Sequence, residues 1–169
     1  MHIQCTKKLL DFLKPPMTIK NTDDDIYAWH ADYMNIGRKK FYVIMNDLTR
    51  YCIVLYGLKK SDFKDILIII KNAIYITMIE QNFEEELIIN YLYGIEEVTY
   101  DRTKNRFLIS QLNRAMFEAS WCIEDGIYID TFEQPQIAVS INESFVGTNH
   151  WKVTHRPFEK MHEYLKLLL

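Results

Sequence analysis

Seven residues could form a chemical site if the segments that carry them meet: Thr6, Lys7, Trp29, His30, Asn46, Asp47 and Arg50. Each stands near the end of a segment that reads as a strand or a helix start. A histidine beside an aspartate, an arginine and a lysine makes an acid–base or anion-binding site. His30, Asp47 and Arg50 are its catalytic candidates, and Thr6, Lys7, Trp29 and Asn46 its binding candidates. The competing reading is structural: Asn46 and Asp47 shape a turn, and His30 is a hydrogen-bonded sheet residue. A second group, Arg102, Lys104, Arg106 and Arg114, surrounds a helix start. Arg106, Ser110 and Asn113 share one helical face, which suits phosphate or an acidic partner. The same spacing describes the solvated face of an amphipathic helix. A third group, His155, Glu159 and His162, contains a single Glu-x-x-His and lacks the His-Glu-x-x-His of a zinc helix, so no metal site is expected.

Other chemistry is absent from the pattern. The five glycines are too scattered for a G-x-G-x-x-G or Walker A loop, and no Gly-x-Ser-x-Gly elbow occurs, so no cofactor is expected. Cys5, Cys52 and Cys122 form no Cys-x-x-Cys pair, and Cys5 and Cys52 sit in apolar segments as inert core thiols. The acidic run Asp23-Asp24-Asp25 lacks the spacing of a calcium loop.

The elements that must position these residues follow from periodicity and punctuation. His2 to Cys5 reads as a strand, Thr6 as a cap, and Lys7 to Leu13 as a helix stopped by Pro15 and Pro16. Ile26 to His30 and Lys40 to Met45 are strand-like. Tyr51 to Tyr56 pairs with the latter as a hairpin turning at Asn46-Asp47-Leu48-Thr49, and the apolar run Cys52 to Leu55 suggests a central strand. Ser61 opens a long helix ending near Gln81, with an apolar stripe wide enough to be sandwiched between layers or buried in a dimer. A helix from Glu84 to Tyr93 closes at Gly94 as a left-handed cap. A short strand, Glu97 to Tyr100, precedes a helix from Lys104 to Cys122. Beyond Gly126 the signals weaken: Ile127 to Phe132 reads as a strand, Gln136 to Ile141 as strand or helix, and Phe158 to Leu168 as a final amphipathic helix. The fold class expected is α+β, a small, largely antiparallel sheet (N-terminal strand plus hairpin) packed against several helices in a single domain, 1–169.

Three blocks, CTKKLL (Cys5 to Leu10), WHA (Trp29 to Ala31) and NDLTRYCIVLYGLKKSDF (Asn46 to Phe63), resemble a bacterial family known as a domain of unknown function. A weaker match runs through EEVTYDRTKNRFL and RAMFEAS. The resemblance implies no activity, cofactor or catalytic residue.

A chain of 169 residues that is 49% apolar can bury a core without disulfides or metal. Its net charge of -3 argues against general nucleic-acid binding while leaving room for a local site. The run Ile66 to Ile70 ends at Lys71, far short of the ~20 residues a membrane helix needs. The start of the chain lacks the apolar region of a signal peptide. Odd, widely spaced cysteines suit a reducing compartment, so a cytoplasmic address is expected. The function expected is a non-enzymatic interaction or regulatory module that works through a protein partner or a second copy of itself. The AT-rich flavour of the composition points to a mobile element or phage. The rival reading is a small enzyme or binder acting on nucleic acid or nucleotide through Lys7, His30, Asp47 and Arg50.

Overall fold

The computed structural model describes residues 1–21, 25–123, 130–148 and 153–168. Strand β1 (His2–Cys5) hands over to helix α1 (Lys7–Leu13) at Thr6, whose hydroxyl accepts from the Leu9 amide at 3.4 Å. Lys14 ends the helix in the left-handed conformation, at φ 51°, and Pro15 prevents its resumption. The chain returns as a meander of β2 (Ala28–Ile36), β3 (Lys39–Asn46) and β4 (Cys52–Tyr56). The loop between β2 and β3 has Gly37 at φ 59°, a conformation that two-residue hairpin loops require and glycine adopts freely.

The main sheet has five strands in the order β4-β3-β2-β1-β5, with β5 at Thr99–Arg102. It is mixed rather than purely antiparallel: β2, β3 and β4 pair antiparallel, and β1 pairs parallel to both β2 and β5. Helix α1 provides the crossover that parallel pairing needs. Strand β2 also runs six residues past His30, through the segment Ala31 to Ile36, and forms a hairpin of its own with β3. Strand β4 is an edge strand rather than a central one. Its outer edge is nonetheless paired: the Tyr56 amide donates to Phe132 O at 2.8 Å and the Gln134 amide to Val54 O at 3.0 Å. An edge so covered is no template for association.

Both faces of the sheet are buried. On one, Ile3, Trp29, Ile44 and Leu55 pack with α1, α2 (Ile66–Glu80), α3 (Glu85–Tyr93) and α6 (Pro157–Lys166). On the other, Phe41, Val43 and Val54 pack with α4 (Arg106–Cys122) and α5 (Pro135–Glu143). Strands β6 (Val146–Thr148) and β7 (Val153–His155) form a separate hairpin. A 3-10 turn, Lys60–Asp65, leads into α2, so the regular helix begins five residues later than Ser61. The segment whose sequence allows strand or helix is the helix α5. Pro135 at its first position favours that outcome, and Ile137, Ala138 and Ile141 share its buried face. Of the strand expected at 127–132, residues 127–129 lie outside the described residues, and 130–132 are not in a strand.

Gly94 is not a left-handed cap: its φ is -68°. Glycine is required there by proximity, since a Cβ would overlap Tyr27 Oη and lie 2.7 Å from Tyr27 Cζ. Tyr27 stacks flat on Tyr91 with centroids 4.9 Å apart and cannot swing away freely. Gly94→Ala is therefore expected to destabilise by about 1–3 kcal/mol, as overpacking does. Trimming Tyr27 to alanine in the same chain should recover part of that loss in denaturant titrations. An additive double variant would contradict the steric account.

Candidate functional site

Alternation along the strands sorts polar from apolar residues with little mixing. Ile3, Cys5, Trp29 and Ala31 face the larger core. Their neighbours His2, Gln4, His30 and Asp32 take the opposite face, and parallel pairing sets Gln4 between His30 and Asp101. All five of these polar side chains are buried, His30 completely. Over β3 and β4 the same face is apolar and lies under α4 and α5. The sheet surface thus changes from hydrocarbon to polar at β2.

Asp47 is the centre of the polar half. Its Oδ1 lies 2.7 Å from His30 Nδ1, and its Oδ2 accepts from Gln4 Nε2 at 2.9 Å. A carboxylate partner requires the proton on Nδ1, which leaves Nε2 of the neutral ring as a lone-pair acceptor. That Nε2 has no partner among the described residues, nor does His2 Nε2, while His2 Nδ1 meets Thr99 Oγ1 at 2.9 Å. An aspartate that orients a histidine and leaves its far nitrogen open is the arrangement of a general base.

The turn after β3 delivers Asp47 and Arg50 to this face. Asn46, wholly buried, accepts at Oδ1 from the Leu48 amide (3.1 Å), the Thr49 amide (3.0 Å) and the Thr49 hydroxyl (3.0 Å). Its Nδ2 donates to Ile26 O at 2.7 Å. Arg50 closes the turn at φ 64° and is only 8% exposed. Its guanidinium carbon stands 5.6 Å from the Phe107 ring centroid, and its Nε and Nη1 have no hydrogen-bond partner among the described residues. Burial pulls its pKa down, against the opposing pull of Asp47. The His155 ring locks the same turn by donating from Nε2 to Thr49 O at 3.1 Å.

The other carboxylates of this face are satisfied. Asp32 accepts from Thr6 Oγ1 at 2.7 Å and pairs with Lys8 at 3.2 Å. Burial opposes ionisation of Asp101, but Lys104 and the Arg102 amide together hold its carboxyl below the usual range.

Of the residues singled out from sequence, His30, Asp47 and Arg50 come together, with Asn46 as the scaffold of their turn. Thr6 joins through Asp32. Trp29 does not: it lies on the opposite face and donates from Nε1 to Tyr91 Oη at 3.1 Å. Lys7 is exposed on α1 and lies near Arg102 rather than His30. Arg106, Ser110 and Asn113 face solvent along α4. Arg114 pairs with Glu118 at 2.7 Å and donates to Phe145 O at 2.6 Å. His162 pairs with Glu84, and Glu159 with Arg156 at 3.4 Å, so the C-terminal group does not converge. Burial pushes the Cys5 and Cys52 thiols far up.

Sequence reading missed Gln4, His2 and Asp101. The signal for the first two was present, because His2 and Gln4 alternate with Ile3 and Cys5 as His30 and Asp32 do with Trp29 and Ala31.

The histidines also set a pH dependence. Burial holds His2 and His155 below the ordinary histidine value. The unfolded chain therefore takes up protons that the native state refuses, and stability falls as pH drops below about 6.5, by up to about 1.4 kcal/mol per pH unit for each proton. His2→Asn is expected to flatten that decline in thermal melts between neutral and mildly acidic pH. An unchanged slope would remove His2 from the account.

A family model described as Domain of unknown function (DUF6933) matches residues 2–159. No curated protein and no solved structure matches the chain. Among the described residues no helix is long and apolar enough to cross a membrane.

Proposed function

In a chain that belongs to the DUF6933 family, we propose that the polar half of the sheet binds a small phosphate-bearing ligand, of nucleotide type, and exchanges a proton with it. Arg50 carries this reading. It is a buried cation with two nitrogens unpartnered among the described residues, in a backbone conformation that disfavours a side chain, set beside a histidine–aspartate pair. Unpaired buried donors and a left-handed non-glycine residue each lower stability. A site that keeps both beside an open histidine nitrogen is arranged for a ligand rather than for folding. Arg50 supplies charge to an anionic oxygen, and His30 Nε2 takes or returns the proton.

The test is a thermal-shift screen with nucleotides and short oligonucleotides, repeated on His30→Asn and Arg50→Gly chains. A compound that raises Tm for the parent alone supports the site. A panel in which no compound raises Tm for the parent alone overturns it.

A second reading, a non-enzymatic interaction or regulatory module, is favoured by Phe117 and Trp121 on α4. They are 62% and 69% exposed and pack edge to face at 5.7 Å. Exposed aromatics of this kind are enriched at protein interfaces. Sedimentation at rising concentration tests a second copy as the partner: association lost in Trp121→Ser supports it, and a monomer throughout counts against it. Two buried reduced thiols fit a cytoplasmic address.

A further inference from the structure

The carboxyl ends of β1 and β5 open into a cleft on the side of α1, away from His30. After Pro15 and Pro16 the chain runs along the outer edge of β5, where the Thr18 amide donates to Tyr100 O at 2.7 Å and Met17 bridges to Tyr100. The space between this segment, α1 and the end of β5 amounts to about 580 Å³. Lys7, Lys14 and Arg102 line it against a single acid, Asp11, with Thr103 at the strand end. Among the described residues none of these three cations makes an ion pair, in a chain whose net charge is -3.

Topology independently points to the same place. Strand β1 is followed by β2 on one side and flanked by β5 on the other, so the order of the parallel strands reverses between β1 and β5. Open sheets bind ligands outside the carboxyl ends of their strands at such a reversal. Three cations against one acid leave an excess of positive charge at the mouth, and an anion relieves the repulsion among them. The wall is not polar throughout. Leu10 contributes to it, as does Met17, which is 47% exposed.

We propose that this cleft binds a phosphomonoester of mononucleotide size, its phosphate held by Lys7, Lys14 and Arg102 and its apolar body laid against Leu10 and Met17. The site is separate from the His30 row, on the other face of the same strands, and does not depend on it.

Isothermal titration of the full chain with AMP, inorganic phosphate and adenosine tests the assignment. AMP should bind more tightly than either phosphate or adenosine, because only AMP offers both parts. The Lys7→Gln/Arg102→Gln double variant should weaken AMP by about tenfold or more, as the loss of two charge-assisted contacts implies. Lys59→Gln/Lys60→Gln, which removes two exposed charges elsewhere, should leave it unchanged. Because the four lysines and arginines are exposed, Tm should hold in both double variants. Absence of heat with AMP, equal affinity for AMP and adenosine, or undiminished affinity in the Lys7/Arg102 variant would each overturn the proposal. Loss of AMP binding in His30→Asn with the Lys7/Arg102 variant unaffected would overturn it too, and place the ligand in the polar row instead.

Discussion

Asn46→Ala should destabilise the chain by about 3–5 kcal/mol, more than most changes outside the apolar core. The amide of Asn46 holds the turn from both ends. Its Oδ1 takes three donors from Leu48 and Thr49, and its Nδ2 ties the turn to Ile26 O. Asn46 and Thr49 lie at zero exposure, so water cannot replace the bonds between them. Alanine would leave the buried Thr49 amide without an acceptor and take one of two donors from the Ile26 carbonyl, which keeps Tyr91 Oη at 3.0 Å. For a domain of this size a loss of that order lowers Tm by roughly 10 °C. Asn46→Asp separates the two ends, since it keeps the acceptor and loses the donor, and it should fall between the parent and alanine. A loss below about 1 kcal/mol for Asn46→Ala would mean that the main-chain bonds from the Arg50 amide to Asn46 O and from the Asn46 amide to Tyr51 O hold the turn without the side chain. Thr49 also touches Met161 Sδ at 3.6 Å and accepts His155 at its carbonyl. Loosening the turn therefore loosens the docking of α6, and denaturant unfolding monitored at Trp29 should report both together.

How far the site was legible in the sequence depends on which interactions are local. The turn at Asn46-Asp47 and the helices were readable because caps, alternation and helical spacing act within a few residues. Asn46 could be read as a turn former, but its buried bond to Ile26 O depends on the β2–β3 register. The convergence of His30 and Asp47 was readable only as a hypothesis, since it requires Asp47 to sit across from Ala28. Gln4 and Asp101 were out of reach for a stronger reason. Their position beside His30 follows from parallel pairing of β1 with β2 and β5, and parallel partners are set by crossovers rather than by adjacent residues. The end of β2 was missed because Asp32 and Asn35 interrupt its apolar pattern; Asp32 is tolerated there only because Thr6 and Lys8 satisfy it. Gly94 was placed correctly as a helix terminator for the wrong physical reason, as the crowding comes from Tyr27, far away in sequence.

Asp47→Ala should be nearly as damaging as Asn46→Ala, and its reversal is the sharper test. The carboxylate accepts from both His30 Nδ1 and Gln4 Nε2, and its charge favours the ionised form of the buried Arg50. Removing one partner of a buried charge arrangement leaves the other uncompensated and costs about 3–5 kcal/mol. Arg50→Gly acts in the opposite direction. It relieves a left-handed φ of 64°, which costs an ordinary residue roughly 1–2 kcal/mol. It also deletes two buried donors without partners, at the expense of the contact with Phe107. Its stability should equal or exceed that of the parent, while the ligand response disappears. In the Asp47→Ala background, Arg50→Gly should then recover part of the loss, because no unpaired cation remains in the interior. A double-mutant cycle from equilibrium unfolding measures this coupling directly. Additivity within about 0.5 kcal/mol would show that Arg50 does not depend on Asp47. A strongly destabilised Arg50→Gly chain would show that the arginine serves the fold, and the case for a ligand at His30 would lose its main support.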